Sequence, residues 1–318
     1  MATRINGKYL DTMKERNCEK KHNLKKIYYR KLDTGDYLLY AYKSELLMIN
    51  GRLAENIITK KNVDINDDET YEILSSNNFL CDDNYNNHEL PLELSSYKVN
   101  IINFIYILVF VISVFYNAYK INYDMTYNLL QNINFRNHLL LIIVIGIIFS
   151  ITTTVNHEFM HALFSNNLQG IKESINLSIK NSVASVSLTH VWLWSKFSRL
   201  LAIAAGVMLD SITLSLLIVL RHFISNSITT VMFIILFLRI IWQFRFHRNT
   251  DGKLFIMMLL DNPFLYYDYK NNKESLNTKE LIICRITLII GWLIDLYLLF
   301  LWIIPISFKL VNFLGARL

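Results

Sequence analysis

The sequence predicts a polytopic α-helical membrane protein with about five transmembrane helices, preceded by a small cytoplasmic α+β domain at the N-terminus. Three observations predict it. Apolar residues make up 53% of the 318-residue chain and charged ones 18%, with nine glycines and three prolines to build irregular loops. The apolar residues are blocked: residues 1–97 are polar and charge-rich, and almost every long apolar run follows them. Within residues 1–97, short runs rich in Tyr, Leu and Ile alternate with turn residues, a strand signature. The expected division is a cytoplasmic α+β domain over 1–97 and a membrane-embedded domain over 98–318.

The first domain reads in order as strands and then helices. "KKIYYRKL", "DYLLYAY" and "ELLMIN" are β-prone runs parted by "DTGD" and "KS". "GRLAENIIT" and "DDETYEILSSNNFL" follow as helices, the second opening on acidic residues that suit a helix N-terminus. The polar tract 82–97 reads as the linker to the membrane part.

Crossing about 30 Å of hydrocarbon takes roughly 20 helical residues. Five runs reach that length: 99–119, 138–164, 198–220, 226–246 and 281–304, with "ISFKLVNFL" beyond Pro305 as a kinked or interfacial extension. The tight turn "RHFISNS" makes the third and fourth antiparallel neighbours. If residues 1–97 are cytoplasmic, so are 165–197 and 247–280, which hold Lys172, Lys180, Lys196, Arg248, Lys253, Lys270, Lys273 and Lys279. The opposite side holds Lys120, Arg136, Arg221, Lys309 and Arg317. That bias predicts a cytoplasmic N-terminus and an outer C-terminus. Between the second and third runs, "INLSIKNSVASVSLTHVWLW" is β-branched and weakly alternating, so a hairpin at the membrane face is expected.

The formal charge of +6 is modest. Nearly half of the basic residues fall in the first hundred positions, where a domain beside a membrane surface, or one receiving an acidic peptide, accounts for them. Nucleic acid is not an expected partner. Cys18, Cys81 and Cys284 form neither a CxxC pair nor an even framework, which suits a reduced compartment. The N-terminus has no apolar h-region, so no cleavable signal peptide is expected.

His157, Glu158 and His161 spell H-E-x-x-H at the end of the second apolar run, inside "TTTVNHEFMHALFS". On a helix, positions i and i+4 lie about 40° apart around the axis and about 6 Å along it, so both imidazoles reach one metal ion. Glu158, about 100° round from His157, approaches a water instead of the metal. Zinc with three protein ligands keeps a fourth position for water, and Glu158 is then the general acid/base, taking the water's proton and passing it to a leaving amine. Ionisable groups within a membrane segment are costly and point to function. The bland alternative is a helix end whose polar groups meet lipid headgroups.

Depth selects the third ligand. Counting about 1.5 Å per residue from His138, His157 lies about 28 Å across, near the cytoplasmic boundary. Asp251 in "FHRNTDGKLF" follows the fourth run and lies at the same boundary. Asp210 in "AGVMLDS" is about 20 Å into its helix, too deep for the same metal unless that helix is displaced. Asp261 lies further into the cytoplasmic segment, and His247 reads as a basic interfacial residue beside Arg245 and Arg248. Asp251 is the preferred ligand.

"HEFMHALF" in a membrane helix, followed by "TDGKLFIMMLLDNPFL" after a later one, resembles the site-2-protease family of intramembrane zinc metalloproteases. The likeness covers roughly residues 138–268. In that family the aspartate of a D-G pair is the third zinc ligand, which maps onto Asp251 and Gly252. The chain departs from the family pattern at "HRNT", where an N-P is usual, and at "GVMLD", where glycine-proline-x-x-asparagine is usual. These departures bear on binding of the substrate strand. "LDTGDYLLYAYKSELLMINGRLAENIIT" with "DDETYEILSSNNFL" is similar to PqqD-like peptide-recognition domains, small winged-helix modules that bind a leader peptide as an added strand. The two resemblances imply a Zn2+-dependent endopeptidase of the peptide-maturation type, acting on a bacteriocin-like precursor or a membrane-anchored protein near the cytoplasmic leaflet of a bacterial plasma membrane.

Asp210, Arg239, Arg285 and Asp295 also fall within apolar runs, either as a polar path or, preferentially, as interhelical pairs that fix the bundle. Asn156 could orient a ligand or hold a substrate carbonyl. A different class of function is a non-catalytic membrane immunity or escort protein that binds a peptide. A small transporter is the weakest reading, since the spans show no internal repeat.

Overall fold

The computed structural model of the chain describes residues 2–4, 22–59, 62–63, 68–81, 89–93, 97–121, 139–168, 188–224 and 226–315. The chain divides into two compact units. One comprises Met1–Glu93, Ser187–Arg199 and Asp261–Phe264; the other comprises Leu94–Val186, Leu200–Leu260 and Leu265–Leu318.

In the first unit, β3 (Tyr28–Lys31), β4 (Tyr37–Tyr40) and β5 (Leu46–Ile49) form an antiparallel meander in the runs expected to be strands. Its register pairs Tyr28 with Tyr40 and Leu38 with Met48. β1 (Ala2–Arg4) lies parallel to β5, giving the order β1-β5-β4-β3, and β2 (His22–Asn23) pairs with β6 (Asn62–Val63). The β3–β4 turn closes through Gly35, whose φ of 89° favours glycine. α1 (Gly51–Thr59) starts where the Asn50 side chain accepts from the Leu53 N–H at 2.9 Å, and α2 (Asp68–Ser76) follows. Leu39, Leu47 and Ile49 of the sheet bury against Ala54 and Ile57 of α1, Leu74 of α2, and Phe79.

The two later segments join this unit through charge. Arg30 on β3 grips Asp261 with both Nη atoms, at 2.9 and 2.6 Å, and donates from Nε to the Trp192 carbonyl at 2.8 Å. Arg199, 1% exposed, adds a second ion pair to Asp261 at 2.8 Å. Ser195 and Ser198 donate to the Glu93 carboxylate. Where the sequence suggested a contiguous 1–97, this unit therefore closes at Glu93 and gathers residues from two distant places. Sequence proximity carries no sign of such pairs. Of the expected hairpin, residues 175–187 lie outside the described residues, and Thr189–Leu193 is a 3-10 turn. The expected linker 82–97 falls largely outside them too, at 82–88 and 94–96.

The remaining helices are α3 (Tyr97–Lys120), α4 (Leu139–Phe164), α5 (Lys196–Phe223), α6 (Ser227–Gln243), α7 (Asp251–Leu259), α8 (Leu265–Asn271), α9 (Thr278–Leu298) and α10 (Ile304–Gly315), all in the second unit except the first turn of α5, up to Arg199. Four stretches, Val99–Lys120, Leu140–Phe164, Lys196–Phe223 and Thr278–Phe308, are long and apolar enough to cross a bilayer. Such helices mark an integral membrane protein. Only 6% of the apolar window of the first is buried, which leaves its surface for lipid.

The fifth expected run, 226–246, is a shorter helix than the sequence suggested. α6 begins on a capping box of Asn226 and Thr229 and ends after 17 residues, or about 25 Å. The chain then turns through 244–250 before α7 resumes. Tertiary contacts impose the break: Arg245 pairs with Asp295, and Phe246 is buried. Pro305 does not interrupt its run. A π-helical segment, Leu299–Ile303, precedes it, widening the helix where proline lacks an N–H and its ring crowds the preceding turn. Leu214, Leu217 and Ile218 of α5, Phe233 and Leu236 of α6, Leu298 and Trp302 belong to one buried cluster.

Candidate metal centre

His157 and His161 stand one turn apart on α4, and Asp251 is the first residue of α7. Both histidines are 2% exposed. Nε2 of His157 lies 2.9 Å from Asp251 Oδ2, Nε2 of His161 lies 3.3 Å from the same oxygen, and the two Nε2 atoms are 3.2 Å apart. Among the described residues, these three side chains form the group able to hold a metal ion.

The outward ring nitrogens fix what the inward ones offer. Nδ1 of His161 is 2.8 Å from the Ala202 carbonyl oxygen, which can only accept, so Nδ1 carries the proton. Nδ1 of His157 is 2.7 Å from Asp210 Oδ2, a carboxylate oxygen, and donates likewise. Each Nε2 therefore presents a lone pair toward Asp251. Two lone pairs and a carboxylate oxygen crowded together favour a cation among them. Bonds of about 2.0–2.1 Å to a tetrahedral cation would set its ligands about 3.3 Å apart, close to the separations here. The donor set fits a small divalent ion.

Two glycines make the approach possible. A Cβ on Gly206 of α5 would fall 2.5 Å from His157 Nε2, so glycine lets the α5 backbone close on the ring. A Cβ on Gly252 would fall 2.3 Å from the Gln243 carbonyl oxygen at the end of α6. Next to it, the Asp251 N–H donates to Gln243 Oε1 at 3.2 Å, and the Thr250 side chain caps α7. The carboxylate thus stands at a helix N-terminus, where the aligned peptide dipoles favour negative charge.

Behind His157 a polar circuit crosses three helices. Asp210 of α5 meets Arg239 of α6 at 3.1 Å, and Arg239 donates from Nη1 to Thr153 and Thr154 of α4 at 3.2 and 3.1 Å. This corrects the depth argument. Asp210 does lie about 21 Å along α5 from Lys196, yet His157 is beside it. Counting residues along one helix cannot register how far packed helices slide past each other.

The other singled-out residues separate clearly. Asp261 serves Arg30 and Arg199 in the first unit. His247 stacks flat on Trp292 and pairs with Asp295 at 2.9 Å, as an interhelical tie. Arg285 and Asn156 are exposed, and Glu158 is half-buried beside His157. The sequence reading missed Arg30 and Arg199. Gly206 entered it only as the first residue of "GVMLD", four residues before Asp210 on one helix face. Compared with protein-family models, curated proteins and solved structures, the chain matches none.

Proposed function

We propose that this chain is a zinc-dependent membrane endopeptidase of the site-2-protease type, acting near the cytoplasmic leaflet on a peptide precursor or a membrane-anchored substrate. The observation that carries the reading is the convergence of His157, His161 and Asp251 from α4 and α7, with Glu158 next to one ligand. In this reading α6 and α7 together make a fifth, broken span, and the N-terminus is cytoplasmic. The first unit is a PqqD-like module that receives a peptide along its sheet, and the substrate is a bacteriocin-like precursor.

Zinc held by the triad supplies Lewis acidity toward a water and the scissile carbonyl. The chain's own groups do the rest. Asp210 and the Ala202 carbonyl hold the two imidazoles with Nε2 inward. Glu158 takes a proton from the attacking water as the C–O bond forms, and gives it to the amine as the C–N bond breaks. The helices around the histidines exclude bulk water, which strengthens these interactions.

The test uses the full chain purified in mild detergent. Wild type is expected to bind about one zinc per chain and to cleave a peptide precursor. Glu158→Gln keeps the metal and loses cleavage. Full proteolysis by Glu158→Gln would defeat the mechanism, and a metal-free wild type that still binds the peptide would point instead to an immunity or escort protein.

A further inference from the structure

A cavity of about 470 Å³ is bounded by α7, α8 and α9 and by the turn after α6. That volume is in the range of small-ligand sites, roughly 300–1,000 Å³. Its wall carries Lys253, Lys270 and Lys273, and no carboxylate is among its lining residues. Lys253 lies over the Tyr266 ring at 5.2 Å and reaches Asn249 Oδ1 at 3.3 Å, while Lys273 lies over the Tyr269 ring at 5.1 Å. Among the described residues, none of the three ammonium groups pairs with an acidic side chain. On α9, Asp295 is committed to Arg245 and to His247, which also lines the cavity.

Three lysines on one cavity wall, none paired with a carboxylate, attract an anion, and lysine binds phosphate as a point charge. The rest of the cavity selects what the anion is attached to. Its floor is Phe246 and Leu288, the latter inside the apolar stretch Thr278–Phe308. One turn below Leu288 stands Trp292, 60% exposed, and the neighbouring Ile289 and Leu293 are exposed as well. A ligand bound here meets lysines and tyrosine rings at one end and a lipid-facing apolar surface at the other. Basic pockets between membrane helices take up such amphiphiles.

We propose that this cavity binds a phosphate-bearing anion supplied by an acidic phospholipid, its phosphate held among Lys253, Lys270 and Lys273 and its acyl chains running along α9 past Leu288 and Trp292. None of the three lysines is a metal ligand, and Lys253 stands two residues after Asp251 on α7.

The test is binding of three probes to the full chain in neutral detergent: dioctanoyl phosphatidylglycerol, dioctanoyl phosphatidylcholine and inorganic phosphate. The proposal expects saturable binding of the phosphatidylglycerol, weaker binding of the zwitterionic lipid and much weaker binding of free phosphate. Replacing Lys253, Lys270 and Lys273 by Gln lowers the first affinity on the order of a hundredfold, while Lys279→Gln, outside the cavity, leaves it unchanged. Should the triple variant fail to fold, Lys270→Gln and Lys273→Gln, both at exposed positions, each give a several-fold loss. Equal affinity for the two lipids, or no loss in the lysine variants, overturns the site. Free phosphate binding as tightly as the lipid overturns the lipid source.

Discussion

Asp210 Oδ2 takes a hydrogen bond from His157 Nδ1 at 2.7 Å and meets Arg239 Nε at 3.1 Å. One buried oxygen thus joins the candidate metal ligand to a fixed positive charge. The proton stays on Nδ1, the lone pair stays on Nε2, and the carboxylate is not left uncompensated. Removing it should weaken metal binding without touching a ligand. Asp210→Ala is expected to lower zinc affinity about 10- to 100-fold, measured by competition with a chromogenic chelator. Asp210→Asn, which still offers an accepting oxygen, should lose less. Equal affinity in all three proteins would remove Asp210 from the site.

Gly206→Ala sets helix propensity against the site. Alanine favours a helix interior by about 1 kcal/mol over glycine. Here its Cβ would press on the His157 ring at 2.5 Å. The variant should keep its helical circular dichroism and bind substantially less zinc. Undiminished zinc binding would show that the ring can move aside.

Metal removal should destabilise the helical unit. Free zinc at 100 times its dissociation constant stabilises the folded state by about 2.7 kcal/mol when only that state binds. A chelator should therefore lower the Tm of the wild type and leave that of His161→Ala unmoved. Scanning calorimetry in detergent makes the comparison.

Asp261 should give the first unit an acid limb. Burial pushes its carboxyl up, but the hydrogen-bonded Arg30, together with Arg199, overrides this and holds it below the usual carboxylate value. A carboxylate lowered on folding adds stability above its unfolded pKa, about 3.9, and loses it as pH falls through the folded value. Asp261→Asn should thus lower the Tm near pH 7, with the gap to wild type narrowing from about pH 4 downward. A gap constant between pH 7 and pH 3 would mean that the charge of Asp261 does not stabilise the fold.

Local chemistry was legible in the sequence wherever it repeats along the chain. The Tyr/Leu/Ile-rich runs "DYLLYAY" and "ELLMIN", parted by turn residues, determined β4 and β5, and the apolar blocks determined α3, α4, α5 and α9, because composition and run length are local properties. H-E-x-x-H also placed His157 and His161 together, since i and i+4 share a helix face. Tertiary structure decided the rest. α6 stops at Gln243 because Arg245 and Phe246 find partners outside it. Asp210 lies beside His157, and Asp251 faces both histidines, because α4, α5 and α7 pack at particular axial offsets. Asp261 goes to Arg30, 231 residues earlier. An axial offset between helices is set by side-chain packing, including glycines such as Gly206, and has no periodic signature. A sequence read one helix at a time gives the ligand types but not their common depth.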